Sequence, residues 1–250
     1  MIHGICGFCK KEFRKRENKY IYCSILCANR YNLNGLKPVS LPKHNIELAE
    51  LIGICLGDGY TSHYQVGVAL NSDVDKEYIP YVFNLCKKLF PNVTISQIYK
   101  MEEKVVDIRI SSRVVADFMR SNGIIPNAKI IPNWIKTNHR YIKACIRGLF
   151  DTEGSISFKK YLSKKGVSVY KQLNFRNYNT DIMRFVMDYL VSIGLKPTTT
   201  LKSSLYLSNN NSIDIYRNSI GFSNPKLSKR SYIRTNEEYI KFIRLSRKLP

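Results

Sequence analysis

One short pattern occurs twice in this chain, and it limits what the chain can fold into more than any other feature. Residues 51–59 read LIGICLGDG and residues 145–154 read CIRGLFDTEG. Each is an apolar helical run with a small residue near its middle, followed by an acid and then a glycine. The acids are Asp58 and Glu153, 95 residues apart. Gly53 and Gly57 are four apart and share one helix face, as do Gly148 and Thr152. Small residues so spaced let two helix backbones approach closely. The pattern predicts two similar units joined through these helices by a pseudo-two-fold axis.

The order of elements repeats as well. From Leu41 the periodicities predict a helix over 46–57, strands between Tyr60 and Asn71 and an amphipathic helix over 74–90. Strands near 93–99 and 105–111 and a helix over 113–121 follow. Pro126 and Pro132 then mark a linker. The second pass predicts a helix over 141–152, strands at 155–162 and 168–176 and a helix over 181–193. Weaker strands near 196–201 and 205–208 and a helix ending near Ser219 complete it, and a last helix spans 236–247. Single residues match between the halves: Asn71 with Asn177 and Asp75 with Asp181 at an offset of 106, and Asp117 with Asp214, Arg120 with Arg217 and Lys129 with Lys226 at 97. These matches favour an internal duplication of about 100 residues. The expected fold class is α+β: two pseudo-two-fold αββαββα repeats forming a saddle, plus a small N-terminal module. The expected divisions are a module at 1–31, a linker at 32–43, a first repeat at 44–122, an inter-repeat linker at 123–139, a second repeat at 140–230 and a C-terminal helix at 231–250.

Charge narrows the partner. Forty Lys+Arg stand against 19 Asp+Glu, a formal net charge of +21, which attracts polyanions through counterion release. No apolar run approaches the roughly 18 residues of a membrane span, and the first residues lack a signal-peptide core. Seven cysteines without such a signal suggest a reducing, intracellular setting, with thiols or metal rather than disulfides.

A helix C-terminus carries about −0.5 of a charge, so an acid there is disfavoured. This chain places one there twice, each before a glycine suited to a left-handed cap. Side by side, the two carboxylates would meet with the helix-end carbonyls of Gly57 and Thr152 next to them. Like charges so arranged need a cation, and an all-oxygen donor set favours Mg²⁺ over zinc.

LIGICLGDG and IRGLFDTEG resemble the two signature helices of the LAGLIDADG homing endonucleases, in the single-chain form with two motifs. The resemblance spans about residues 44–230. It implies that Asp58 and Glu153 bind the catalytic metals, about two or three Mg²⁺ per pair of sites. Leu56 stands where the motif often has an earlier acid, which Asp151 keeps in the second copy. GIIPNAK and IGFSNPK resemble the segment that ends each repeat with an active-site lysine, here Lys129 and Lys226. Asn71 and Asn177 fall where the family often has a polar residue that orients water. The implied activity is metal-dependent double-strand cleavage across the minor groove of a long asymmetric DNA site by a monomer, leaving 3′ overhangs. Two rivals on the same scaffold are an intron maturase that binds RNA and a DNA-binding regulator that does not cut.

In strand 168–176, Ser168, Tyr170, Gln172, Asn174 and Arg176 alternate with Val169, Lys171, Leu173 and Phe175, Lys171 being the misfit of the apolar set. The preceding strand adds Ser155, Ser157, Lys159 and Tyr161. This polar set suits base edges in a major groove. Tyr60, Ser62, Tyr64 and Gln65 are the counterparts in the first repeat. Near the start of the chain, Cys6-x2-Cys9 and Cys23-x3-Cys27 suit one tetrahedral Zn²⁺ and resemble a treble-clef or zinc-knuckle module. His3 is a possible substitute ligand that four cysteines leave unneeded, and Ser24 can cap a short helix. Lys10, Lys11, Arg14, Lys15 and Arg16 suggest that this module extends the DNA footprint through phosphate contacts. Cys55, Cys86 and Cys145 are expected in the core.

Overall fold

The computed structural model describes residues 2–15, 17, 20–28, 39–163, 166–200 and 203–246. It divides into one unit spanning Met1–Ser40 and another spanning Leu41–Pro250. Arg16 and most of the 32–43 linker lie outside the described residues, as do the side chains of Tyr161 and Ser168.

The first unit holds a hairpin of β1 (Ile2–Ile5) and β2 (Glu12–Lys15), with His3 opposite Arg14. The Cys6–Cys9 turn follows β1. Its backbone is closed by Cys6 N–H to Lys11 O and Lys10 N–H to Cys6 O, with Lys10 at φ +60°. A helical turn begins at residue 25, and Ser24 Oγ accepts from the Cys27 N–H at 3.2 Å, the capping expected of it.

The second unit is two copies of one plan. In the first copy, α1 (Ile46–Asp58) leads into β3 (Gly59–Thr61) and β4 (Gln65–Asn71). Then come α2 (Ile79–Leu89), β5 (Ile95–Lys100), β6 (Val105–Ser111) and α3 (Arg113–Ser121). A ribbon of β7 (Ile124–Ile125) and β8 (Ala128–Lys129) and a short α4 (Asn133–Lys136) follow. The second copy runs α5 (His139–Glu153), β9 (Gly154–Ser163), β10 (Gly166–Arg176), α6 (Thr180–Ser192), β11 (Thr198–Thr199), β12 (Ser204–Leu207) and α7 (Asn210–Ser219). Two further helices close the unit, α8 (Pro225–Ser231) and α9 (Asn236–Ser246). None of the helices among the described residues is long and apolar enough to cross a membrane.

Both sheets are antiparallel and share one strand order. The first runs β3-β4-β6-β5 and the second β9-β10-β12-β11, so each places its strands 1-2-4-3. The matched residues also do matched work. Asp117 pairs with Arg120, and Asp214 with Arg217 at 2.9 Å, each three residues along its helix. Asn71 Oδ1 accepts from the Asp73 and Val74 N–H groups, and Asn177 Oδ1 from the Asn179 N–H.

The sheets bury one face each. Val66, Val68 and Leu70 of β4 and Val106, Ile108 and Ile110 of β6 are buried in the first. Ile156, Leu173, Phe175, Leu205 and Leu207 are buried in the second. The misfit Lys171 is also buried, and its Nζ donates to the Ser231 carbonyl at the end of α8, where the helix dipole favours a cation. α9 covers the outer part of this face, with Tyr239 and Phe242 against the Phe158 ring.

Between the sheets, α1 packs along α5 at backbone distance. A Cβ on Gly53 would lie 2.1 Å from the Cys145 carbonyl oxygen, and one on Gly148 2.4 Å from that of Glu50. Further out, Glu50 forms a buried ion pair with Arg147, and Tyr81 and Ser223 donate to its other oxygen at 2.7 and 2.6 Å.

The structure departs from expectation in three places. The helix expected over 74–90 begins only at Ile79, because Asn71 holds a turn after β4 and Pro80 sits in the first helical turn. The inter-repeat stretch is built rather than loose: Trp134 stacks on His44 at 4.1 Å and donates to Asn122 Oδ1 at 2.9 Å. α8 was not expected. It buries only Leu227 and Ser231, too little for an apolar period, and its one signal was Asn224 as N-cap before Pro225.

Replacing Gly53 or Gly148 by alanine is expected to cost about 2 kcal/mol or more, because the obstructing atoms are backbone. Denaturant unfolding of the two variants checks this. Wild-type stability in either would show that the helices separate freely.

Candidate metal and nucleic-acid site

The ends of α1 and α5 meet. A Cβ on Gly57 would fall 2.1 Å from Thr152 Oγ1 and 3.1 Å from Glu153 Cγ. Each helix stops at a glycine whose N–H bonds back into its last turn, Gly59 to Cys55 O and Gly154 to Phe150 O. The left-handed cap expected there is not adopted. Gly59 has φ −90° and Gly154 φ −91°, so both lead straight into strands. Glycine is needed for space, since a Cβ at Gly154 would meet the Phe150 carbonyl oxygen at 2.3 Å.

Asp58 and Glu153 therefore stand at adjoining helix ends, near enough for the Asp58 charge to act on Glu153. Asp58 is exposed at the helix end, yet the atoms packed around its carboxylate desolvate it and raise its pKa to about 6, with the negative charge of Asp75 adding to the shift and Lys129 and Lys226 opposing it. That of Glu153 is raised by burial and then by Asp58. Two carboxylates held against their own ionisation fit a divalent cation that prefers oxygen ligands.

The two lysines flank these acids on unlike elements. Lys129 lies on β8, after a turn with Pro126 and then Asn127 at φ +63°. Its Nζ donates to the Gly57 carbonyl, and burial lowers its pKa. Asn179 Nδ2 donates to its carbonyl at 2.8 Å. Lys226 lies in the first turn of α8, where it pairs with Asp75 at 2.8 Å. Asn224 Nδ2 bonds the same Asp75 oxygen at 3.2 Å and the Asp151 carbonyl at 3.1 Å. Asp151 is buried, accepts from the Ser223 N–H at 2.9 Å, and has its pKa pushed well up by burial. It faces Ser223 and Asn224 rather than the acid pair.

Of the other candidates, Asn177 Nδ2 stands 3.4 Å from Glu153 Oε1. Asn71 is spent on its turn, and no hydrogen bond joins it to Asp58 among the described residues. The Gly57 carbonyl already carries Lys129, and Thr152 Oγ1 donates to Gly148 and Leu149 carbonyls at 3.1 Å. A cavity of about 980 Å³ opens beside Glu153, lined also by Lys129, Asn177 and Arg176 among others.

The polar set of the second sheet shares one face. Tyr170 is opposite Lys159, Gln172 opposite Ser157 and Asn174 opposite Ser155. Asn174 Nδ2 donates to Ser157 Oγ at 3.0 Å and Gln172 to Ser208 Oγ at 3.0 Å, while Arg176 reaches the Tyr178 hydroxyl at 2.5 Å. Tyr206, opposite Asn174 on β12, belongs to this face and was missed. In the first sheet Tyr60 and Tyr64 are exposed, Gln65 is half-buried, and the Ser62 carbonyl accepts from Arg120. Asp107 and Arg109 were missed there. Their signal was the alternation of VVDIRIS, which puts Val105, Asp107, Arg109 and Ser111 on one face.

In the N-terminal unit, one sulfur from each of Cys6, Cys9, Cys23 and Cys27 lies within 4.8 Å of the others. Cys9 and Cys23 sulfurs are 3.6 Å apart, and Cys23 and Cys27 are 3.4 Å apart. These spacings are near the roughly 3.8 Å edge of a tetrahedral zinc–thiolate site and far from a bonded pair. All seven cysteines are free, and Cys55, Cys86 and Cys145 are buried as expected. His3 is exposed and outside the cluster.

No family profile matches the chain. The fold is that of the LAGLIDADG homing endonucleases. Three solved structures carry the likeness. I-DmoI in complex with DNA and Mn has a TM-score of 0.50 at 19% identity, covering 71% of this chain and 98% of that one. I-LtrWI bound to target DNA gives 0.52 at 13%, covering 82% and 99%. I-AabMI bound to uncleaved DNA gives 0.51 at 11%, covering 83% and 99%. In sequence, a DNA polymerase of Thermococcus hydrothermalis is 33% identical over 147 residues, 55% of this chain. The chain spans 8% of that polymerase's length.

Two outcomes are expected. In chelator, Asp58 holds a proton in the folded state up to about pH 6 that the unfolded chain releases near its ordinary value of 3.8. Stability is therefore lost as pH rises through this window. Asp58→Asn should unfold at a higher temperature than wild type at pH 7 and at the same temperature near pH 3.5, and Mg²⁺ should stabilise only the wild type. For the cysteine cluster, purified protein should carry one zinc by metal analysis, and Cys23→Ser should carry none.

Proposed function

We propose that this protein is a site-specific DNA endonuclease that hydrolyses one phosphodiester on each strand of a long asymmetric duplex site. The single observation that carries this reading is the meeting of Asp58 and Glu153 at the ends of two close-packed helices in a chain of charge +21. Folds of this kind solved with target DNA support it.

Asp58 and Glu153 would hold divalent cations between them, with the carbonyls at Gly57 and Thr152 nearby. Such ions, when bound, activate water and stabilise the attacking and leaving oxygens. The chain's own groups do the rest. Asn177, hydrogen-bonded to Glu153, orients water on its side. Lys129, with its pKa lowered by burial, can stabilise charge on the phosphate or pass a proton nearby. Lys226 serves the other strand while held by Asp75. Because the halves differ in sequence, a single chain would read a non-palindromic site, with Tyr64 and Gln65 on one side and Ser155, Ser157, Lys159, Tyr170, Gln172, Asn174 and Arg176 on the other. One zinc in the four-cysteine cluster would fold the N-terminal unit, whose Lys10, Lys11, Arg14 and Lys15 add phosphate contacts. The reading places the protein inside the cell, with DNA.

Incubation with a randomised duplex library is expected to yield specific cuts in Mg²⁺ and binding without cuts in Ca²⁺. Asp58→Asn and Glu153→Gln should abolish cutting, and Lys129→Met should slow it about 100-fold or more. Selective binding with no cutting in Mg²⁺ would make the protein a regulator instead.

A further inference from the structure

The open face of the first sheet carries a buried acid that the cleavage chemistry does not use. Asp107 is only 4% exposed, on the same face as exposed Ala69 and Asn71. An acid there opposes the approach of a polyanion, so its presence needs a reason. Three bonds supply one. Tyr60 donates its hydroxyl to both Asp107 oxygens, at 2.9 and 2.7 Å, and Arg109 Nη2 donates to Oδ2 at 2.6 Å. Burial and then the Asp107 carboxylate raise the Tyr60 pKa, which keeps the phenol a donor.

The strand register makes this arrangement possible. Tyr60 is opposite Gly67, and Gly67 is opposite Arg109. The Tyr60 ring lies across Gly67 so closely that a Cβ there would fall 2.2 Å from it. On the other side Arg109 is opposite Ser96. The guanidinium thus sits in a row with glycine and serine as its flanking strand partners, and its side chain is 27% exposed. Nε is buried without a hydrogen-bond partner. Asp107 takes one Nη2 hydrogen, and the Tyr60 hydroxyl stands within hydrogen-bonding reach of the same guanidinium.

We propose that Arg109 is a specificity residue that reads one guanine in the half-site facing the first sheet, with Asp107 and Tyr60 as its positioning residues. A fixed guanidinium that still offers its Nη1 and Nη2 edge matches the O6 and N7 acceptors of guanine in a major groove. A phosphate contact carries no base preference, and an exposed lysine or arginine makes one without a buried acid to aim it or a glycine to make room. The assignment rests on the DNA reading above.

The test is selection from a randomised duplex library in Ca²⁺, sequenced for wild type, Arg109→Ala, Arg109→Lys and Asp107→Asn. Wild type should select one guanine in the first half-site about 10- to 100-fold over other bases. Arg109→Ala should lose preference at that base pair alone, with every other position and the second half-site kept. Arg109→Lys should keep affinity but not the full preference, and Asp107→Asn should blunt the preference at the same base pair. A merely structural role would instead weaken all positions together. An Arg109→Ala selection identical to wild type, or uniformly weaker, overturns the assignment and leaves the nuclease reading intact. A wild type that selects no duplex sequence overturns both.

Discussion

The backbone contact between α1 and α5 is the constraint on which the rest of the second unit depends. Gly53 against the Cys145 carbonyl and Gly148 against the Glu50 carbonyl bring the helices nearer than any side chain would allow. That closeness brings Asp58 and Glu153 to one end, where desolvation raises both pKa values, helped by Asp75 at Asp58 and by Asp58 at Glu153. The arrangement is unfavourable for two ionised carboxylates on their own. Further along the same helices, the buried Glu50–Arg147 pair adds directional bonds that packing lacks. A buried ion pair adds little net stability, but removing one partner strands the other, so the pair suits holding one helix register.

Pseudo-symmetry holds for the scaffold and fails at the lysines, and the failure traces to two prolines. In the first repeat Pro126 precedes Asn127 and turns the chain into a ribbon, which delivers Lys129 to the Gly57 carbonyl. In the second, Pro225 follows Asn224, starts a helix and delivers Lys226 to Asp75. One lysine is shifted toward neutrality by burial. The other has a carboxylate partner, joined through Asn224 to the backbone of buried Asp151. The two halves of the candidate site are therefore built unequally, beyond the Asp and Glu that mark them.

Much of the scaffold was legible in the chain. The doubled helix motif, the order of elements along the chain and the spacing of the four N-terminal cysteines depend on local periodicity and fixed offsets. The offset of 97 linked Asp117–Arg120 to Asp214–Arg217, and both are ion pairs. Less legible were features carried by few apolar residues. α8 buries only two residues, and α2 starts late because an Asn side chain holds a turn after β4. Lys171 looked like an error of alternation until the α8 carbonyl that receives it was in place.

What the sequence determined by itself was the repeat, the two acids, the charge and the four spaced cysteines, because each is a matter of residue type and spacing along one chain. Only the tertiary structure decided that those acids stand at adjoining helix ends, which carbonyl or carboxylate holds each lysine, and that Tyr60, Asp107 and Arg109 form one group. These groups are brought together by strand register and by helix contact across as many as 151 residues of chain. No local pattern encodes such a meeting, because it depends on how close two backbones can come.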